Sequence, residues 1–512
     1  MNHRFLLRWA WLAFLLPSAS SASDAKLDPR VFAGKASGES ASFLVVLREQ
    51  TDLSGADSIG DRTDRVRFAY ESLRAQAELS QAALRARLDA EGIAYRAYFL
   101  VNMLEIEGDR ALADSLAARE DVSRIAPNAP FTPAPAPREP EALTRPGGIF
   151  MTTTVELNIA KIGAPDVWAQ GFTGQGIVIG MADTGVVWDH PALKAHYRGF
   201  DGVNVSHDYN WHDAVHDALA GNSCGSSAST PCDDDGHGTS TASLAVGDDG
   251  AGNQVGVAPG ARFIACRNMD QGAGTPARYT ECFQFFLAPT DRNGANPRPD
   301  LAAHVISNSW GCPVSEGCTD PDVLRSVVEN IRAAGIFVAV AASNDGPSCA
   351  TIDIPALYDA SFTVCATTLS DGIASFSSRG PVTADGSNRL KPDICAPGVA
   401  LRVANRSGGF TGGFSGTSGS TPEVSGAVAL LWSAAPAMKG RIGPTADLLR
   451  FTAVPLTSTQ DCSPYPGSAV PNAVFGYGRL DIAHAVTLAL PVARARASAP
   501  PRGRAIRVVS PR

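Results

Sequence analysis

The stretch Ile177-Val178-Ile179-Gly180-Met181-Ala182-Asp183-Thr184-Gly185 runs six apolar or small residues directly into an acid and a turn. Such a run, bounded by a turn signal, reads as a buried strand. Residues 262–266, 304–307 and 336–342 read the same way, and helical stretches come between them, such as 323–334 after the start signal Asp320-Pro321. Strands alternating with helices predict an α/β fold with a parallel sheet covered on both faces, and such sheets place their sites beyond the carboxyl ends of the strands. Asp183 falls at one such end, Ser343-Asn344-Asp345-Gly346 at another, and Asn308-Ser309-Trp310-Gly311 at a third.

Outward from Asp183, two further segments carry chemistry: Gly236-His237-Gly238-Thr239 and Gly416-Thr417-Ser418. Each segment alone is as easily a turn, a flexible loop or a helix entrance, but together they supply an acid, a base and a nucleophile. A serine hydroxyl is a weak nucleophile at neutral pH, so an imidazole must take its proton as a carbonyl is attacked. A carboxylate on the far ring nitrogen fixes the tautomer and stabilises the imidazolium. Ser418, His237 and Asp183 suit these roles. Ser418 is expected to open a buried helix in which Pro422 is tolerated in the first turn and 427–431 pack against the sheet.

The order acid, base, nucleophile along the chain is that of subtilisin, whereas unrelated folds run His…Asp…Ser or Ser…Asp…His. The flanks agree: His190-Pro191 and Leu193 follow Asp183, Asp233 precedes His237, and Pro422 and Gly426 follow Ser418. The chain therefore resembles the subtilisin-like serine proteases over roughly residues 155–490. Ser309-Trp310-Gly311-Cys312, Gly346-Pro347-Ser348-Cys349 and Arg389-Leu390-Lys391-Pro392-Asp393 resemble bacillopeptidase F-type members. The resemblance implies a subtilisin-like three-layer fold with a central parallel sheet. It also implies that Asn344 lines an oxyanion hole with the backbone N–H of Ser418, and that Ser309, Trp310 and Gly311 pair with an extended substrate backbone by strand addition. Three departures stand out. Gly419 and Ser420 follow the nucleophile where Met and small residues are usual, Ser240 replaces a common second His, and Ser343 replaces a common Gly, which narrows the primary pocket.

Arg4 and Arg8 flank a short apolar stretch, followed by Pro17 and small residues, which predicts a secretory signal over 1–22 and a secreted, extracellular or periplasmic protein. No later segment is long and apolar enough for a transmembrane helix, so no membrane anchor is expected. All 10 cysteines lie from Cys224 onward, an even number suited to disulfides in an oxidising compartment. Close spacing suits Cys224–Cys232, Cys312–Cys318 and Cys349–Cys365, leaving Cys266, Cys282, Cys395 and Cys462, although spacing does not prove connectivity. The His/Cys spacings do not fit a zinc site.

A cysteine-free unit, 23–128, precedes the catalytic region. A strand over 42–47, helical periodicity through Val66, Tyr70, Leu73, Ala77, Leu84 and Leu88, a hairpin over 94–106, a short helix and a last strand give the order β-α-β-β-α-β. This resembles the small α+β inhibitor-type propeptide domain of many subtilases, which assists folding and blocks the site until removed. A Pro/Ala/charged linker follows over 129–148, then the peptidase domain over 149–490 and a basic Pro/Ala/Arg tail over 491–512.

The formal net charge of −8 and the lack of an aromatic-rich basic surface exclude a nucleic-acid role. His207, Asp208, His212, Asp213, His216 and Asp217 lie in an insertion-like loop, read as solvated surface in preference to a metal site. No cofactor is required for triad chemistry; the resemblance leaves room for structural calcium, with no ligands assignable. The expectation is an exported serine endopeptidase acting on proteins or peptides through an acyl-enzyme, made as a zymogen whose own propeptide is an intramolecular inhibitor. The alternative is an inactive subtilase-fold binding or adhesion module. A sister family of acid peptidases replaces the His by Glu and the oxyanion Asn by Asp, against which His237 and Asn344 argue.

Overall fold

The computed structural model describes residues 26–128, 155–311 and 320–497. The signal segment, the linker, Cys312 and Cys318 lie outside the described residues.

The amino-terminal unit consists of β1 (Ala41–Leu47), α1 (Arg62–Glu91), β2 (Tyr95–Tyr98), β3 (Met103–Gly108), α2 (Arg110–Ala117) and β4 (Val122–Pro127). The strands form one sheet in the order β2-β3-β1-β4, with β1 antiparallel to both β3 and β4. The order β-α-β-β-α-β is thus borne out. α1 starts where the Asp61 side chain accepts from the Asp64 N–H, and it ends at Gly92 in the left-handed conformation.

The main domain contains α3 (Leu157–Lys161), α4 (Ala164–Trp168), β5 (Val178–Asp183), β6 (Trp211–Asp213), α5 (His237–Val246), β7 (Arg262–Arg267), β8 (Met269–Asp270), β9 (Ala273–Gly274) and α6 (Pro276–Leu287). It continues through β10 (Val305–Asn308), α7 (Arg325–Ala333), β11 (Phe337–Ala341), β12 (Phe362–Thr367), β13 (Ile394–Pro397), β14 (Leu401–Ala404), β15 (Phe410–Phe414), α8 (Thr417–Ala434), α9 (Ile442–Thr452) and α10 (Ile482–Ala497). Seven strands form a parallel sheet in the order β13-β12-β11-β10-β5-β7-β6. Val, Ile, Phe and Ala dominate the central strands because both sheet faces are covered. One core layer joins the sheet to α5, α8 and α10, and another joins it to α6 and α7. The three-layer α/β expectation is borne out.

Two sequence readings are corrected. The loop around 201–222 is not simply solvated surface: β6 within it is the seventh strand, and His207 and Asp213 are buried. The Asp213 carboxylate is held by Nε and Nη2 of Arg267, both at 2.9 Å, while His212 and His216 both meet Glu281 of α6. The partners lie more than fifty residues away, so local composition could not reveal them. Secondly, α10 runs to Ala497, so the first residues of the expected tail are helical.

The amino-terminal unit lies on α6 and α7. Leu44, Val66, Ala69, Leu73 and Leu100 share one buried cluster with Phe283, Phe286, Val327 and Ile331. Polar contacts fix the docking. Arg65 of α1 donates to the carbonyl of Ala333 at 2.6 Å, the end of α7, where helix carbonyls lack intrahelical partners. Arg62 donates to the Ala303 carbonyl, Gln284 Oε1 accepts the Phe99 and Leu100 N–H groups, and Asn128 Oδ1 accepts the Ala277 N–H at the start of α6. Four disulfides join described residues: Cys224–Cys232, Cys266–Cys282, Cys349–Cys462 and Cys365–Cys395. The expected Cys349–Cys365 pair is corrected: Cys365 faces Cys395 in register across β12 and β13, which leaves Cys349 to reach Cys462. Sequence spacing does not see strand pairing.

Candidate active site

Asp183 is the last residue of β5 and nearly inaccessible. Three donors converge on its carboxylate: the Thr184 N–H at 2.8 Å, the Thr241 hydroxyl at 3.0 Å and His237 Nδ1 at 2.8 Å. A carboxylate so surrounded holds one orientation, and it fixes the imidazole with Nδ1 as donor and Nε2 turned outward. Thr241, one turn along α5 from His237, was not identified from the sequence; its spacing of four from His237 was the available signal.

The approach of the two loops depends on glycine. A Cβ on Gly185 would lie 1.8 Å from the Cys232 carbonyl oxygen, and one on Gly238 would lie 2.1 Å from that of Gly185. Asp233, seen in the sequence only as a flank, fastens them: its carboxylate accepts from Thr184 Oγ1 at 2.9 Å, Gly236 N at 2.7 Å and Thr239 N at 2.9 Å. His190 ties the following loop to the β14–β15 hairpin by donating through Nε2 to the Gly409 carbonyl at 2.9 Å, because its Nδ1 accepts from Ala192.

Burial opposes charging His237, but the Asp183 charge and hydrogen bond, with Asp235 and Asp233 behind, outweigh it and lift its pKa to about 9. Phe414 of β15 lies against the ring, with centroids 5.6 Å apart, a contact no local motif announces.

Ser418 is the second residue of α8, after Gly416. Its hydroxyl donates to the Ser309 carbonyl at 2.9 Å rather than to His237, and Ser309 Oγ in turn donates to the Ser418 carbonyl at 3.2 Å. The helix entrance is therefore tied to the end of β10. The unusual residues behind the serine have clear surroundings. A Cβ on Gly419 would lie 2.6 Å from Leu401 Cδ1, so a larger residue there requires that side chain to shift, and Ser420 donates to the Ala396 carbonyl at 2.9 Å. Ser240, in place of a His, donates to the Gly236 and Ala404 carbonyls, both at 3.0 Å.

Asn344 follows β11, the parallel neighbour of β10. Its Oδ1 accepts from both the N–H and hydroxyl of Thr417, at 2.9 and 3.1 Å. That leaves the amide Nδ2 as the free donor. A Cβ built on Gly416 would stand 3.7 Å from Asn344 Nδ2 and 3.6 Å from Ser418 N, so two donors border the same small space beside the Ser418 hydroxyl. Asn308 of β10 is in register with Ala182 of β5 and Val340 of β11, so Asp183, Ser309 and Asn344 follow adjacent strand ends, with His237 bonded to Asp183, Ser418 to Ser309 and Thr417 to Asn344. Ser309 and Trp310 are buried, Trp310 stacked on Tyr279 with centroids 3.7 Å apart, and only Gly311 is half-open.

Among the described residues no set of three or more His, Cys, Asp and Glu side chains is arranged for a metal ion. The loop acids are committed elsewhere: Asp213 to Arg267, Asp217 to Arg278 and Asp208 to Arg292.

A sequence model of the subtilase family matches residues 174–478. Bacillopeptidase F of Bacillus subtilis strain 168 is 34% identical over 76% of this chain and 26% of its own length. Serine protease AprX of the same organism is 32% identical over 51% of this chain and 58% of its own length. Subtilisin E, also from Bacillus subtilis, is 30% identical over 55% of this chain and 62% of its own length. The chain therefore spans about a quarter of the first relative and about three fifths of the other two.

Proposed function

The chain belongs to the subtilase family and is bacillopeptidase F-like, and on that premise we propose that it is a secreted serine endopeptidase, made as a zymogen that processes itself. The observation that supports the reading is that the residues bonded to His237, Ser418 and Thr417, namely Asp183, Ser309 and Asn344, follow the carboxyl ends of the adjacent strands β5, β10 and β11.

The mechanism follows from those atoms. Ser418 Oγ turns from the Ser309 carbonyl toward His237 and attacks a peptide carbonyl carbon while His237 Nε2 takes its proton. Asp183 remains ionised and stabilises the imidazolium. The carbonyl oxygen becomes negative and is met by Asn344 Nδ2 and the Ser418 N–H, fixed before the reaction begins. Collapse expels the amine, which receives the proton from His237, and leaves an ester on Ser418. A water molecule, deprotonated by His237, then attacks the ester and releases the acid. Extended substrate pairs along Ser309-Trp310-Gly311.

The amino-terminal unit acts as the intramolecular inhibitor, a reading supported by its docking on α6 and α7 and by Asn128 pointing the chain toward the start of α6. Four disulfides among the described residues suit an exported protein, and no described helix is long and apolar enough to cross a membrane. Reaction of the processed protein with a fluorophosphonate, followed by peptide mapping, tests the activity. Modification of Ser418 with parallel loss of peptide hydrolysis is expected. Neither labelling nor hydrolysis would favour an inactive binding module instead.

A further inference from the structure

Away from the active site, three basic side chains gather where the amino-terminal unit meets the main domain. Arg62, in the first turn of α1, donates to the Ala303 carbonyl, and its stem lies along Gly440, where a Cβ would stand 3.1 Å from Arg62 Cγ. His304 follows Ala303, and Lys439 precedes Gly440. His304 Nδ1 accepts the Val178 N–H at 3.1 Å and Lys439 Nζ reaches the Gly176 carbonyl at 3.5 Å, so both side chains lie against the same entry to β5. Among the described residues none of the three forms an ion pair. The acids around them are engaged elsewhere: Asp61 caps α1 through the Asp64 N–H, Asp57 pairs with Arg65, and Asp300 pairs with Arg298.

Gathering like charges without a counter-charge is unfavourable, and the more so because all three side chains are half-buried. Burial, with Arg65 alongside, lowers the pKa of Arg62 to about 10 against the pull of Asp61. Burial and the Arg62 charge lower that of Lys439. Burial and the charges of Arg62, Lys439 and Arg198 keep His304 neutral, far below an ordinary imidazole. Because its Nδ1 accepts, the neutral ring carries its proton on Nε2, which is thus a donor. Arg62 Nε is a buried donor with no partner. The corner therefore presents a guanidinium, an ammonium and an imidazole N–H, and what it lacks is an anion. Two positive charges and a third, neutral donor suit a doubly charged tetrahedral oxyanion, which has an oxygen for each.

We propose that the corner between Arg62, His304 and Lys439 is a binding site for a phosphate-sized oxyanion, and that the bound anion fastens the amino-terminal unit to the main domain. Arg62 belongs to the unit, whereas His304 and Lys439 belong to the main domain, so the full set of donors exists only while the unit is docked. An anion that binds the docked form better than the undocked one holds the unit in place by linkage. Inorganic phosphate and sulfate share this chemistry, and each is tested by itself.

The test titrates sodium phosphate, and separately sodium sulfate, into the full chain kept uncut by Ser418→Ala, at constant ionic strength made up with sodium chloride, and reads the heat of binding. Saturable binding of one anion per chain is expected, with the tighter of the two salts naming the better occupant. Arg62→Gln and Lys439→Gln are each expected to abolish it. Thermal unfolding separates a binding lysine from a structural one. Without added anion the Lys439→Gln chain is expected to unfold no lower than its parent, because a repelled charge is gone, yet it gains only the general salt effect when phosphate is added. In the unmodified chain, phosphate at about ten times its dissociation constant is expected to lengthen the lag before peptidase activity about tenfold. Only this last arm depends on the peptidase reading, so failure of that reading leaves the binding result standing. No saturable heat in the parent chain, or equal binding by the Arg62→Gln and Lys439→Gln chains, would overturn the site. Saturable binding with an unchanged lag in an active preparation would overturn its hold on the unit.

Discussion

In the proposed mechanism His237 has to act as a base while Asp183, Asp233 and Asp235 all favour its charged form. Burial opposes them and loses, so its pKa stands at about 9, well above an ordinary imidazole. Only neutral His237 can accept the Ser418 proton, so activity is lost as pH falls through that value. The acid limb of kcat/KM is therefore expected above the ordinary imidazole range, toward pH 9, and initial rates on an uncharged peptide across pH 5–10 would locate it. A midpoint at or below about 6.5 would show that the carboxylates do not control the base. The same shift has a stability consequence of defined sign. A raised folded value means that the His237–Asp183 attraction stabilises the fold fully below the unfolded imidazole pKa and fades as pH rises through about 9. The sequence alone suggests an ordinary imidazole here, because a motif names the base without the depth of the acid or the three donors around it. The resemblance of Ser343-Asn344-Asp345-Gly346 to a subtilase segment implies that Asn344 is a donor. Its orientation is not legible there, since that depends on Thr417, more than seventy residues later. Asn344→Ala is expected to lower kcat by roughly 10²–10³-fold with little change in KM, because the lost donor acts mainly on the developing oxyanion. Near-normal kcat in steady-state assays would remove Asn344 from the site.

At the scale of elements, apolar runs and helix start signals in the sequence locate the strands that carry Asp183, Ser309 and Asn344. Parallel pairing then brings their carboxyl ends together without any local signal beyond alternation. The illegible part is what one element offers another across long sequence separations. Glu281 of α6 gathers His212 and His216, and its pKa, which burial would raise, is instead held down to about 2 by their hydrogen bonds. Arg65 is a charged residue in the first turn of α1 that sequence patterning would leave in solvent. In the structure it is buried against the end of α7, donating to Ala333 and, more weakly, to Gly440 and Arg332. Arg65→Ala removes the side-chain donor from the Ala333 and Gly440 carbonyls, while the Arg332 carbonyl keeps the Gly335 N–H. It is expected to weaken the hold of the amino-terminal unit by about 1.5–3 kcal/mol, or about ten- to hundredfold. The measurement is the lag between chain cutting and appearance of peptidase activity, which is expected to shorten; an unchanged lag would show that this arginine does not hold the unit.

At the scale of the whole molecule, two bodies share one interface: a sheet-and-helix unit of about a hundred residues and a seven-stranded domain whose site opens at the strand ends. Cys365–Cys395 ties β12 to β13 and Cys349–Cys462 ties two loops of that domain, and Cys365, Cys395 and Cys462 share the buried cluster that the amino-terminal unit packs on. The central claim is that Ser418, served by His237 and Asp183, makes the first cut in its own chain. Ser418→Ala removes one hydroxyl at a helix entrance and adds no bulk, so the fold should persist. The intact mass of the exported Ser418→Ala protein, measured beside the unmodified one in a host lacking other exported proteases, tests the claim most directly. The account predicts that the variant keeps residues 26–128 covalently attached while the unmodified chain appears as a shorter form; a Ser418→Ala protein trimmed to that same shorter mass would contradict it.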